Sequence, residues 1–350
     1  INNVILNGIE DTLKVIGTDE KNILNNSIIN AYKTAINFDD IGGSFTLSGT
    51  TINGGVDGKS DTISGSGKAD ILILQNTTIN GNIDMRDDND ILTIETGSIL
   101  NGTLDGGNGN DTLNFGESGT AKTRAASSSD EIRILHDISG FENINVNSNV
   151  TFYEKTIDAA GTEKALKVTD VSNLTIGANG VLTLRIDSAN SNAHALTGNS
   201  GTIKSANGGK LLLALNGVGN NSIISFGNLA LDGSLVTEYE GKYQEDVTFA
   251  TTSELHSVKR TSRPNEVEVA AKNNLPTKPI APDDLAYEKL NKIYYSILSV
   301  DELGNFNVDN DEKLSTFLGY LNDIYAGNPY SYSSELSRKS TGMFREIVTE

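Results

Sequence analysis

Through most of this chain, apolar and polar residues alternate in short runs that are too brief for helices and are bounded by Asn, Gly and Asp. In Asp90-Ile91-Leu92-Thr93-Ile94 and Asp111-Thr112-Leu113-Asn114-Phe115 the larger side chains fall on every second position, the period of a strand with one buried face. The runs recur. Asp11-Thr12-Leu13-Lys14-Val15, Asp61-Thr62-Ile63 and Asp70-Ile71-Leu72-Ile73-Leu74 join the same series, and Asp70, Asp90 and Asp111 are 20 and 21 residues apart. A second series interleaves with it: Thr51-Ile52-Asn53-Gly54, Thr78-Ile79-Asn80-Gly81 and Ile99-Leu100-Asn101-Gly102, at offsets of 27 and 21.

A unit of about 20 residues holding short strands cannot bury its own apolar face, so it must stack on copies of itself. The pattern therefore predicts an all-β, right-handed parallel β-helix, or solenoid, with Asn-Gly at turns that need positive φ. Asn-Gly between apolar runs is also a hairpin signal, so an antiparallel sandwich is the competing arrangement, and the regular offsets favour stacking. Residues 1–120 are expected to hold the regular coils, a rod of about 25 Å. Residues 121–275 hold looser coils and a β cap, with a loop leaving the rod at Thr123 to Asp130.

Pro276, Pro279 and Pro282 then mark 276–282 as a linker, and the period behind them becomes helical over 283–350. Ala286, Leu290, Ile293, Ile297 and Val300 define one helix with Asp283 as its N-cap. Leu314, Phe317, Leu318, Leu321 and Ile324 define another, with Asp309 and Glu312 as a capping box and Gly327-Asn328-Pro329 as the stop. A third is expected from about Ser333 or Ser334, carrying Leu336, Met343, Phe344 and Ile347. Seven of the 11 tyrosines lie beyond residue 283, so this segment has a packing demand of its own.

Charge and composition narrow the function. With 46 acidic and 27 basic residues among 350, the net charge of −19 repels nucleic acid and anionic membranes. Residues 1–120 carry 17 acidic and 6 basic side chains, so 11 of the 19 net charges lie on the regular repeats. The absence of cysteine removes disulfide and thiol chemistry. No apolar run is long enough for a helix to span a bilayer. The start at Ile1-Asn2-Asn3-Val4 has no initiator Met and no signal region, which leads us to expect an internal or processed fragment.

The order of repeat rod, linker and helical tail resembles the passenger of a monomeric type V autotransporter from a Gram-negative outer membrane. The tail Leu321-Asn322-Asp323-Ile324-Tyr325-Ala326-Gly327-Asn328-Pro329-Tyr330, with Ser337-Arg338-Lys339-Ser340 and Met343-Phe344, is similar to the stretch before the barrel in large fusobacterial-type surface adhesins. The resemblance implies an extracellular passenger, anchored only through a C-terminal β-barrel that this sequence lacks. It also implies a host cell-surface protein partner, an immunoglobulin-superfamily receptor such as a carcinoembryonic-antigen-related cell adhesion molecule (CEACAM).

Candidate chemistry is sparse. Gly106-Gly107-Asn108-Gly109-Asn110-Asp111-Thr112-Leu113-Asn114 matches the calcium nonapeptide of β-rolls, so Asp61, Asp70 and Asp111 are the residues a calcium reading would use. Such sites need consecutive nonapeptides, only Asp61 and Asp70 are nine apart, and Lys59 and Lys68 stand where glycines belong; no metal or other cofactor is expected. Asp87-Asp88-Asn89-Asp90 offers carboxylates for a polysaccharide lyase or hydrolase, but an acidic turn is also the ordinary solvated edge of an acidic protein. No Gly-x-Ser-x-Gly occurs, and His136, His194 and His256 are isolated. A non-enzymatic adhesin is thus the leading expectation, with a polysaccharide-active enzyme and a non-binding stalk as alternatives. Receptor anchors are expected on two apparent insertions: Tyr32, Ile36 and Phe38 within Asn25 to Asp40, and Phe152 and Tyr153 within Asn149 to Gly161. The competing reading places both stretches in a capping helix or irregular coils.

Overall fold

The computed structural model describes residues 1–16, 22–38, 42–117, 131–157, 161–187, 196–197, 200–241, 244–272, 275, 284–298 and 308–325. The expected loop at 123–130, the linker at 276–282, the Asp283 cap and the third helix lie outside the described residues.

Long parallel sheets dominate, and the architecture is an all-β, parallel, solenoid-like stack. One sheet has nine strands, running from Asn22–Asn25 through Ile71–Gln75, Ile91–Ile94 and Thr112–Phe115 to Leu229–Leu231. A second has eight, from Leu13–Val15 to Leu196–Thr197. A third has five, Ile5–Gly8, Ile28–Ala31, Thr51–Asn53, Thr78–Asn80 and Ile99–Asn101; a fourth, also of five, begins at Ile132–Ile134 and ends at Phe249–Thr251. Every ladder within these four sheets is parallel, and the chain visits the sheets in turn before returning to each one strand further on.

The period-2 pattern explains the packing. In the nine-stranded sheet Leu72, Leu92 and Leu113 pair in register, as do Leu74, Ile94 and Phe115, and all six are buried. Their counterparts from the other sheets, such as Ile52 and Ile79 or Ile63 and Ile83, complete one continuous core. A narrow interior lined by many strands suits aliphatic columns, which is why aromatics are few; Phe115 and Phe152 meet edge to face at 6.0 Å.

Outward positions form polar ladders. On the five-stranded sheet that starts at Ile5, Asn7, Asn30, Asn53, Asn80 and Asn101 occupy equivalent positions, and from Asn30 onward each side-chain amide donates to the preceding side-chain oxygen, at 2.9, 2.7, 2.6 and 2.7 Å. Asn53 makes two of these bonds and Asn7 one. Asn53→Ala is therefore expected to cost about 1–2 kcal/mol and Asn7→Ala about half as much, read from urea denaturation midpoints. Equal losses would show that the ladder adds nothing beyond the individual side chains.

Three sequence expectations need correction. Asn25 to Asp40 does not interrupt the repeats: Ile28–Ala31 and Ile36–Phe38 are strands of an ordinary coil, paired in register with Thr51–Asn53 and with Ile63 and Ser64. Asn149–Phe152 is likewise a sheet strand, and only the antiparallel pair Lys155–Ile157 with Glu163–Ala165 leaves the stack. The Asp-led series also divides, because Leu13–Val15 and Ile63–Ser64 belong to the eight-stranded sheet whereas the strands after Asp70, Asp90 and Asp111 belong to the nine-stranded one.

The far end is closed by an antiparallel sheet of Ile223–Ser225, Glu266–Ala271 and His256–Arg260, whose Val258, Val267 and Val269 complete the main core. The Arg260 guanidinium donates to the carbonyls of Leu231 and Leu235 at 2.9 and 2.8 Å, satisfying acceptors that no further strand covers. Two helices, α1 (Asp284–Leu298) and α2 (Asp311–Tyr325), form a separate small core with Leu255 and Leu275, built on Leu290, Tyr294, Leu314, Phe317 and Leu321. The Tyr294 hydroxyl donates to the Lys272 carbonyl at 2.7 Å, tying this unit to the cap. The N-cap of α2 is Asn310, whose side chain accepts the Lys313 amide at 2.9 Å; Asp309, expected in that role, pairs instead with Lys313 Nζ at 2.8 Å.

Candidate partner-binding face

Outward positions of the five-stranded sheet carry Ile5, Ile28, Thr51, Thr78 and Ile99 in one column and the five asparagines in the next. None is charged, in a chain of net charge −19. Beside this face the first three coils have longer turns. The Tyr32 amide donates to Gly8 O at 3.1 Å, Lys33 N to Ile9 O at 3.2 Å, and Asp57 N to Tyr32 O at 3.2 Å, so the turns carrying Ile9, Tyr32 and Val56 stack on one another. Those three side chains are 73%, 51% and 68% exposed. They form an apolar strip along the stacked turns, while exposed Ile5 and Ile28 stand on the far side of the asparagine column.

Charged groups frame the strip. Lys33 pairs with Glu10 at 2.8 Å, and that hydrogen bond holds the ammonium pKa above its ordinary value. Asp57 accepts the Ser60 amide at 2.9 Å and its hydroxyl at 2.7 Å, bonds that pull its carboxyl below the usual range and fix the third turn.

Of the anchors expected from sequence, Tyr32 alone is well exposed. Ile36, Phe38 and Phe152 are core residues, since strand alternation turns them inward, and they cannot serve as receptor contacts. Tyr153 is half-buried beneath Arg185, whose guanidinium lies 4.3 Å from the ring centroid and pairs with Glu154 at 2.9 Å. Ile9 and Val56 were not anticipated; the signal available was their place just after the equivalent strands one coil either side of Tyr32.

Asp70 and Asp111 are buried together with Asp90 in one stack, while Asp61 lies in a different turn, where burial and the facing Asp84 raise its pKa. Among the described residues no group of three or more His, Asp or Glu is placed to hold a metal ion. His136 is half-buried, its pKa lowered by burial, and buried His256 places Nδ1 3.0 Å from Ser253 Oγ. No family model, curated protein or solved structure matches the chain.

Proposed function

We propose that this chain is the passenger of a Gram-negative cell-surface adhesin, folded as a right-handed parallel β-helix, which binds a host protein receptor through the apolar strip of its first three coils. The observation that carries this reading is a strip of exposed Ile9, Tyr32 and Val56 on three stacked turns, bordered by Glu10, Lys33 and Asp57 and lying beside a charge-free sheet face, on a strongly acidic molecule. Exposed apolar groups on stacked turns are costly to keep in water without a partner, and a rigid scaffold limits the ordering entropy lost on binding. The receptor class is an immunoglobulin-superfamily adhesion molecule, as the resemblance in size to passengers of such adhesins implies, and the passenger is displayed through a β-barrel at the outer membrane. Within the acidic turn Asp87 and Asp88 are exposed while Asp90 is wholly buried, so Asp90 cannot act with them as a surface acid and base pair on a polysaccharide.

Surface plasmon resonance against a panel of immunoglobulin-superfamily ectodomains tests the reading. Tyr32→Ala and Val56→Ser should each weaken binding by about 2 kcal/mol, roughly 30-fold, with unchanged far-UV circular dichroism. Ile157→Ser, on the protruding hairpin, should leave affinity as it is. Full affinity in both strip variants would sink the proposal, as would release of reducing ends or unsaturated products from mucin or plant polysaccharide, or the absence of saturable binding to any ectodomain or cell.

A further inference from the structure

Asp70, Asp90 and Asp111 precede successive strands of the nine-stranded sheet, and all three are 0% exposed. They are linked through the backbone. Gly43 N–H donates to Asp70 Oδ1 at 2.8 Å, Asp70 N–H to Asp90 Oδ1 at 2.7 Å, Asp90 N–H to Asp111 Oδ1 at 2.7 Å, and Asp111 N–H to Glu142 Oε2 at 2.7 Å. Each carboxyl thus holds the amide of the coil before it. The second oxygens differ: Asp70 Oδ2 accepts the Ser66 amide at 2.6 Å, whereas Asp90 Oδ2 and Asp111 Oδ2 are buried with no hydrogen-bond partner. In the turns before Asp90 and Asp111 the amides equivalent to Ser66, those of Arg86 and Gly107, go to Asp84 and Asp105 instead.

Two buried acceptor oxygens without donors are costly as carboxylates and far less so as carboxylic acids, which supply a hydrogen of their own. The surroundings reinforce this. Asp90 faces Asp70 on the preceding coil, Asp111 on the next and Asp88 in its own turn; Asp111 faces Glu142, Asp105 and Asp88; and the nearby cation, Arg86, acts on Asp61 and Asp84. We propose that this carboxyl stack is a proton-held lock: Asp90 carries its proton in the folded protein at neutral pH, and the coils from Gly43 to Glu142 tighten in mild acid and loosen as the medium turns alkaline.

Burial, with the neighbouring carboxylates, pushes Asp90 up to about 8 and Asp111 to about 6, and raises Asp70. Because the folded state then binds more protons than the unfolded chain, stability is greatest below the ordinary Asp value of 3.8 as far as these groups are concerned, falls from there to about 8, and is flat beyond. Asp57 and Asp232, whose pKa values are lowered, act in the opposite sense only below the ordinary Asp range, whereas His136, whose pKa burial lowers, opposes the trend up to its ordinary value of 6.5, so the fall from pH 7 to 9 belongs to Asp90. The lock is independent of any receptor, so it stands or falls apart from the adhesin reading.

Thermal unfolding of the full chain, followed by circular dichroism in metal-free buffer, is expected to show a midpoint about 10 °C lower at pH 9 than at pH 5. Asp90→Asn keeps the oxygen that accepts Asp70 N–H and adds donors, so it should raise the alkaline midpoint and remove most of the slope; Asp57→Asn should leave the slope alone. On the unmutated protein at pH 7, infrared spectroscopy should show a protonated carboxylic acid band that is lost near pH 9, and Asp111→Asn provides a second variant if Asp90→Asn fails to fold. A flat profile, an unchanged slope in the asparagine variants, or no acid band at pH 7 overturns the lock. So does a midpoint at pH 8 that calcium raises and a chelator lowers, since a cation rather than a proton would then satisfy the two oxygens.

Discussion

Gly107→Ala is expected to destabilise the protein by more than 3 kcal/mol, although it adds one methyl group to a surface turn. Gly107 has φ of 92°, a conformation that costs an L-residue about 1 kcal/mol or more. A Cβ there would also lie 1.7 Å from the Arg86 carbonyl oxygen and 2.5 Å from its carbon. That carbonyl cannot simply withdraw, because it accepts the Asn108 amide at 2.6 Å and ties one coil to the next. The substitution therefore combines backbone strain with a broken bond between coils or a displaced turn. Gly67→Ala is the matched control: its Cβ meets nothing within 4 Å and its φ lies outside the left-handed region, so the change should fall within about 0.5 kcal/mol of zero. Urea denaturation of both variants checks the contrast, and equal midpoints would mean that the turns do not approach as closely as described.

Phe115→Ala is expected to cost about 3–5 kcal/mol. Phe115 is 0% exposed, stands in register between Ile94 and Val146, and meets the Phe152 ring across the core. The narrow interior offers few side chains that can move into the space left behind, so the cavity term adds to the lost transfer energy. In a stack where each coil touches only its neighbours, the damage should be local. Hydrogen exchange is expected to accelerate at Ile91–Ile94 and Asn143–Val146 while Ile5–Gly8 and Glu266–Ala271 keep their protection. Uniform acceleration along the chain would instead show one cooperative unit.

Most of the strand content was legible because period-2 alternation survives even where the repeat length does not. The offsets of 20 and 21 found the true register of Asp70, Asp90 and Asp111, and those of 27 and 21 found that of Thr51, Thr78 and Ile99. Leu13–Val15 of the first coil was legible in the Asp-led series, but the strands Ile5–Gly8 and Ile28–Ala31 fell outside the Asn-Gly series. Ile5-Leu6-Asn7 and Ile28-Ile29-Asn30 keep the inward apolar residue and the outward Asn and carry Ile in the outward Thr position, as Ile99 does, but their spacing of 23 residues matches neither 21 nor 27, and Ala31 stands where Gly follows the other asparagines. The changed spacing and the missing Gly made a regular coil look like an inserted loop and turned core residues Ile36 and Phe38 into supposed anchors. The candidate face was only partly legible, through Tyr32, because its other members become neighbours through stacking rather than through sequence. The buried carboxyl stack was the hardest to foresee: an Asp before a strand is ordinarily a solvated turn residue, and nothing local says that its second oxygen lacks a donor.

Successive coils return to the five-stranded sheet after 23, 23, 27 and 21 residues, yet the strand pairings stay in register. Length differences are absorbed in the turns and never passed to the ladder. The turns bearing Ile9, Tyr32 and Val56 are thus insulated from the framework: they can lengthen, shorten or change composition while the Asn column and the apolar interior remain as they are. Such an architecture separates change in the surface turns from the maintenance of foldability, and whole coils become interchangeable modules, each adding about 4.8 Å of height.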